Sequence, residues 1–153
     1  MKEPVLKLSG QFESIKSKDN FLIAGAGAKL SQVLSFCMDR GLCGLEEFAG
    51  IPATIGGAVY KNAGAFGSEI CTKIKWIKFL EGRKLKKISN RDISFSYRKG
   101  PLKHGQIVIE VCFRLKKSTP QNIKGRIKEI YKKRKQKGFL GKNISGCVFK
   151  NPR

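Results

Sequence analysis

From Ala49 to Gly67 the chain runs almost without charge through five glycines, Gly50, Gly56, Gly57, Gly64 and Gly67, set among small apolar residues. Glycine admits backbone conformations and close approaches that a Cβ forbids, so this stretch reads as loop rather than as a long regular element. Its surroundings are the opposite in character. The 153 residues hold 32 Lys plus Arg against 11 Asp plus Glu, a net charge of +21. A neutral, small-residue segment inside so basic a chain is expected to be buried or covered by a ligand. The charge itself has two readings: attraction for nucleic acid or a phosphate-bearing ligand, or a solvated lysine-rich surface.

Around the loop the pattern predicts an α+β chain. Val5, Leu6 and Leu8 before Ser9-Gly10 read as a strand, and Phe21–Ala24 as a second, ending at a tight Gly25-Ala26-Gly27 turn. That turn resembles part of a dinucleotide fingerprint, but the third glycine and the downstream acid are missing, so the spacing favours a structural turn. Leu30, Val33, Leu34, Cys37 and Met38 follow helical spacing over 28–40, with Gly41 at the C-terminus. Ile74–Leu80 and Leu85–Ile88 flank Glu81-Gly82 as a hairpin. Gln106–Leu115 is read as a strand with Ile107, Ile109, Val111, Phe113 and Leu115 on one face. Ser118 or Thr119 then caps a helix with Pro120 in its first turn and an apolar stripe of Ile123, Ile127, Ile130 and Tyr131. Its other face carries Lys124, Arg126, Lys128, Lys132, Lys133, Arg134 and Lys135. No repeat or low-complexity tract is present.

No run is long and apolar enough for a membrane helix, and the first ten residues lack a signal peptide's apolar core, so the expected location is the cytoplasm. Cysteines 37, 43, 71, 112 and 147 include no CxxC pair, and their spacing suits neither a zinc site nor a disulfide framework. Four are expected to be buried hydrophobes, with Cys147 as the exception.

Glycine lets a backbone come close to a diphosphate, Pro52 stiffens the loop, and Asn62 either offers its amide to a ligand or holds the loop itself. The run Gly50-Ile51-Pro52-Ala53-Thr54-Ile55-Gly56-Gly57-Ala58-Val59-Tyr60-Lys61-Asn62-Ala63-Gly64-Ala65-Phe66-Gly67 resembles the AGIPGTVGGAVxMNAGAYG signature of the UDP-N-acetylenolpyruvoylglucosamine reductase family, departing at Ala53, Lys61 and Phe66. Two further matches follow in order. Phe95-Ser96-Tyr97-Arg98 resembles the family's F-x-Y-R, and Gly146-Cys147-Val148-Phe149-Lys150-Asn151-Pro152 its G-S-x-F-K-N-P.

The resemblance implies the second subdomain of a two-part FAD-binding domain (PCMH type) over residues 1–117 and the start of a substrate-binding domain over 118–153. It implies FAD as cofactor, NADPH as hydride donor and a UDP-sugar enolpyruvyl ether as substrate, reduced to the lactyl ether in cell-wall precursor synthesis. By resemblance Gly50, Ile51, Pro52, Thr54, Gly56, Gly57, Asn62, Ala63 and Gly64 contact the cofactor. Tyr97, Arg98, Lys150 and Asn151 contact the substrate. Arg98 stabilises the enolate formed by hydride attack, and Cys147 stands where the family has its proton-donating serine. Relatives carry an N-terminal FAD subdomain and a C-terminal segment with a catalytic glutamate that have no counterpart here, so the isolated chain is expected to be inactive, with those parts conceivable on a separate chain. The rival readings are a non-catalytic nucleotide- or flavin-binding remnant and sequence-blind nucleic-acid retention by the basic helix. The latter lacks any recognition signature, and no specific nucleic acid and no membrane are expected as partners.

Overall fold

In the computed structural model, which describes residues 5–140, the α+β expectation is met by nine strands and three α-helices. Strands β1 (Ile15–Lys18) and β2 (Phe21–Gly25) precede helix α1 (Leu30–Asp39), the short strand β3 (Leu42–Cys43) and helix α2 (Ile55–Tyr60). Strands β4 (Gly64–Ala65), β5 (Ser68–Glu69), β6 (Ile74–Glu81), β7 (Lys84–Ser89), β8 (Gln106–Arg114) and β9 (Lys116–Lys117) lead to helix α3 (Pro120–Gln136). Five strands form one antiparallel sheet in the order β1-β2-β8-β6-β7. The β3-β9 and β4-β5 pairs stand apart from it.

The opening differs from the sequence expectation. Val5 is 95% exposed and residues 5–9 form no strand. The first strand is instead Ile15–Lys18, whose Ile-Lys-Ser-Lys has too few apolar residues to announce itself, and Asp19 in the left-handed region (φ 55) turns it back into β2. Residues 8–14 lie across the Gly25-Ala26-Gly27 turn. The Gly25 and Gly27 N–H groups donate to Ser14 O and Phe12 O at 2.9 and 2.8 Å. A Cβ on Gly25 would fall on the Phe12 carbonyl. The turn is therefore structural, as its spacing favours, and these amides are already engaged by protein carbonyls.

Strand β8 also departs from simple alternation. Its register with β6 passes from Lys78↔Glu110 to Phe79↔Val108, which leaves Ile109 unpaired on that side in a β-bulge. One extra residue reverses the inward face, so Val108 is buried with Val111, Phe113 and Leu115, while Ile107 is exposed. The Ile109 carbonyl accepts the Ala26 N–H at 2.9 Å, which ties the sheet centre to the glycine turn.

The helices follow their predicted stripes. Leu30, Val33, Leu34 and Cys37 are buried from α1, and Gly41 ends it at φ 62. Thr119 caps α3 by accepting the Asn122 N–H at 3.2 Å, and Ile123 and Ile130 are buried from it. Tyr131, expected in the stripe, is exposed. Helix α2 lies against β2 and β8, and α3 packs on α1 and on the single turn Glu46–Phe48. Among the described residues no helix is long and apolar enough to cross a membrane.

These contacts predict opposite outcomes for two glycines. Gly25→Ala forces a methyl onto the Phe12 carbonyl and should destabilise the fold by about 3 kcal/mol or more. Gly125, inside α3 with open space around its Cβ position, should gain about 1 kcal/mol on substitution by Ala. Urea melts of the two variants beside the parent chain check both signs.

Candidate functional site

The glycine-rich segment folds as a loop, the short helix α2 and the β4-β5 hairpin, and its glycines have separate tasks. Gly50 sits at φ 81, where a Cβ would also come within 3.0 Å of Arg134 Cδ. Gly56 faces inward: a Cβ there would meet the Ala26 Cβ at 3.0 Å, and its N–H donates to Ala26 O at 2.8 Å. The Ile55 N–H likewise donates to Ala28 O at 2.8 Å. A Cβ on Gly64 would lie 3.4 Å from Ser68 O, and Ala63 is buried. Gly57 points the other way. It is exposed, and its Cβ position meets only Thr54 Oγ1, at 3.6 Å. Thr54 caps α2 by accepting the Gly57 N–H at 3.3 Å. Pro52, Thr54 and Gly57 thus form an exposed, uncharged shelf, with Ile51 half-buried beside it. The expectation that the glycine amides as a group face a diphosphate meets a geometric limit: the Ile55 and Gly56 amides hold the Gly25-Ala26-Gly27 turn.

Asn62 decides how this loop meets the second motif. It adopts the left-handed region at φ 44, which Asn tolerates better than most residues, and it is 1% exposed. Its Nδ2 donates to Ser96 O at 3.0 Å, and its Oδ1 accepts the Cys71 N–H at 3.3 Å. Of the two parts the sequence left open for Asn62, these contacts fill that of holding the loop. A second tie runs nearby, where the Gly100 N–H donates to Tyr60 O at 3.1 Å, and a Cβ on Gly100 would fall onto the Val59 carbonyl.

The turn so clamped carries Tyr97 and Arg98. Ser96 and Lys99 exchange both backbone hydrogen bonds at 2.9 Å, so the two residues between them form its tip. Arg98 stands there at φ 59, a position a tight turn ordinarily gives to glycine. Holding an L-residue in this region costs about 1–2 kcal/mol. Its half-exposed guanidinium lies 5.6 Å from the Tyr97 ring centroid. The fold therefore brings together the glycine-rich segment and the Phe95–Arg98 segment. Cys147, Lys150 and Asn151 lie outside the described residues.

One residue that holds the site escaped the sequence reading. Arg134, placed there on the solvated face of α3, is 9% exposed. Its Nε donates to Ala49 O at 2.6 Å and its Nη2 to Glu47 O at 3.3 Å, and the guanidinium lies over the Phe66 ring at 5.3 Å. Burial holds its pKa below the ordinary arginine value. The signal was present: Arg134 follows Ile130 by four residues and continues the stripe of Ile123 and Ile130. Arg126 also leaves the free surface, pairing with Glu47 at 3.1 Å and Glu129 at 2.7 Å.

Among the described residues the cysteines offer no reactive thiol to this arrangement. Burial pushes the Cys37 and Cys71 thiols up to about 12 and Cys112 to about 11. Cys43 is only half-buried, a departure from the expectation for it. Among the described residues no cluster of His, Cys, Asp or Glu could hold a metal.

Residues 3–82 match the FAD binding domain family, and the chain belongs to that family. The cofactor of the family is FAD, and the exposed shelf of Pro52, Thr54 and Gly57 fits it: a flat ligand can lie on small uncharged groups, and Gly57 brings no Cβ to that surface. Over 151 residues the chain is 40% identical to a UDP-N-acetylenolpyruvoylglucosamine reductase of Wolbachia pipientis subsp. Culex pipiens, covering 96% of this chain and 51% of that protein. A reductase of the same name from Gluconobacter oxydans is 37% identical over 97% of this chain and 49% of its own length. The crystal structure of UDP-N-acetylenolpyruvylglucosamine reductase from Thermus caldophilus superimposes with a TM-score of 0.85 at 33% identity, over 99% of this chain and 55% of that one. The chain thus spans about half the length of the relatives it matches.

Asn62→Ala should lower folding stability by about 2–3 kcal/mol, because it strands the Cys71 N–H and removes the donor to Ser96 O. It should also free the Ser96–Lys99 turn, seen as a larger rise in amide exchange over the parent at Ser96 and Lys99 than at Ile77 in the sheet. Unchanged exchange there would mean that the Gly100–Tyr60 tie holds the turn alone.

Proposed function

We propose that this chain is part of a flavin-dependent reductase that converts UDP-N-acetylglucosamine enolpyruvate to UDP-N-acetylmuramate with NADPH, in peptidoglycan precursor synthesis. The observation that carries the reading is Arg98, held in a glycine-like conformation at a turn clamped to the glycine-rich loop of an FAD-binding domain. The names and structure of the relatives support the same chemistry. On this reading residues 1–117 form the second FAD-binding subdomain and 118–153 begin the substrate domain. A cytoplasmic location follows from the substrate and from NADPH.

When bound, the flavin would take a hydride from NADPH and pass one on to the substrate. Ile51, Pro52, Thr54 and Gly57 would hold FAD, while Gly50, Gly56, Asn62, Ala63 and Gly64 support that surface from behind. Hydride addition at C3 of the enolpyruvyl ether leaves negative charge at C2, shared with the carboxylate. The Arg98 guanidinium offers paired N–H donors to that carboxylate and stabilises the charge as it develops. Tyr97 forms the wall beside Arg98. The proton for C2 comes from Cys147, a stronger acid than the serine of the family pattern and still mostly protonated near neutrality, with a reference pKa of ~8.5. Lys150 and Asn151 take the diphosphate part of the substrate, and the basic face of α3 draws the anion in.

A polypeptide of these 153 residues alone should show weak or absent FAD binding and no enolpyruvyl-dependent NADPH oxidation, since it spans half the length of its relatives. Flavin fluorescence titration decides the first point. Submicromolar stoichiometric binding, worth ~8 kcal/mol or more, would contradict it.

Arg98→Gly separates stability from chemistry. Relief of the left-handed strain should leave the chain as stable as the parent or about 1 kcal/mol more so. In enzyme reconstituted with the segments that relatives carry, the same change should leave flavin reduction by NADPH intact and slow flavin reoxidation by substrate by about 100-fold or more. Cys147→Ala should act on the same half-reaction, and Cys147→Ser should keep substantial activity. Stopped-flow absorbance of the two half-reactions reads all three variants. Reoxidation at the parent rate in Arg98→Gly would remove the role given to this residue.

A further inference from the structure

A second concave surface lies away from the flavin shelf, between the first turns of α3, the β8-β9 corner and the β4-β5 hairpin. It is a cleft of about 440 Å³. None of Ile51, Pro52, Thr54, Gly57 and Arg98 lines it. Lys73 reaches it from the turn before β6, and Arg114 and Lys116 from the β8-β9 corner, so two segments distant in the chain supply the cations. The opposing carboxylates are Glu46 and Glu47, and both are engaged. Glu46 is buried and accepts the Gly44 N–H at 2.7 Å, and Glu47 pairs with Arg126 at 3.1 Å. None of the ion pairs among the described residues involves Lys73, Arg114 or Lys116. Ser118 and Asn122 add polar side chains, and the half-buried Phe66 with Leu115 adds an apolar wall.

Three cations that line one cleft and pair with no carboxylate among the described residues repel one another, and an anion relieves that repulsion. Oxygen acceptors on a phosphate would take charge-assisted hydrogen bonds from all three. The volume lies in the range of small-ligand sites. We propose that this cleft binds a small phosphate ester, held by Lys73, Arg114 and Lys116 at its phosphate and by Phe66 and Leu115 at its apolar part. The cleft is lined by neither the groups assigned to the flavin nor Tyr97 and Arg98, and we take its occupant to be an additional ligand of the protein.

Because the whole chain is strongly basic, the test must separate a site from bulk charge. Inorganic pyrophosphate is titrated into the full chain by calorimetry at low and physiological salt. Saturable one-to-one binding that weakens with salt is expected. The double variant Arg114→Ser with Lys116→Ser should bind about tenfold more weakly, and Lys73→Gln, on a different segment, should weaken binding as well. A control pair of the same charge change on exposed positions at the other end of the sheet, Lys84→Ser with Lys103→Ser, should stay within about twofold of the parent. Absence of saturable binding, an affinity unmoved by the Arg114/Lys116 and Lys73 changes, or an equal loss in the control pair would each overturn the proposal.

Discussion

The carboxamide of Asn62 joins the two halves of the candidate site. One end donates to the Ser96 carbonyl of the turn that carries Arg98, and the other accepts the Cys71 N–H at the entrance to the main sheet. A buried amide with both ends engaged fixes three separate segments relative to one another. A buried polar group left unpaired costs more than a paired one gains, so the arrangement has little freedom to slide. The left-handed backbone at position 62 aims the side chain inward, and Asn combines that tolerance with one donor and one acceptor end.

On this frame the glycine-rich loop divides its labour. Gly50 and Gly56 make room for protein atoms, respectively the Arg134 side chain and the Ala26 turn, while a Cβ on Gly64 would be in ordinary contact with the Ser68 carbonyl. Gly57 alone among these four leaves its flank to solvent. A motif that reads as uniformly ligand-facing is thus largely a packing device with one exposed shelf. Strain is concentrated at Arg98 instead, where a residue with a long cationic side chain occupies a glycine-like position. Such strain persists because the clamp around Ser96 and Gly100 over-determines the turn.

Arg134 shows how the basic surface is only partly a surface. Its guanidinium is buried against two backbone carbonyls and the Phe66 ring, and so it fastens α3 to the start of the loop. Arg126 is spent on Glu47 and Glu129. Lys133 pairs with Glu129 at 2.6 Å, while Lys124, Lys128, Lys132 and Lys135 stay solvated and supply long-range attraction for anions without base-reading contacts.

The sequence by itself determined the elements whose signals are local. Helix spacing with its caps placed α1 and α3, the Gly82 turn placed the β6-β7 hairpin, and the ordered glycine-rich and Phe95–Arg98 segments marked the candidate site. Tertiary structure decided what depends on partners distant in the chain. The β8 bulge reversed an apparently regular strand because Ile109 bonds Ala26 rather than β6. Ile15–Lys18 became a strand because β2 offered an edge, although its own composition is mostly polar. Asn62 could serve either a ligand or the loop on sequence grounds, and only the arrival of Ser96 and Cys71, 34 and 9 residues away, assigned it to the loop. Hydrophobic periodicity records which way a side chain faces within its own element, but hydrogen-bond partners come from elsewhere in the chain and leave no period to read.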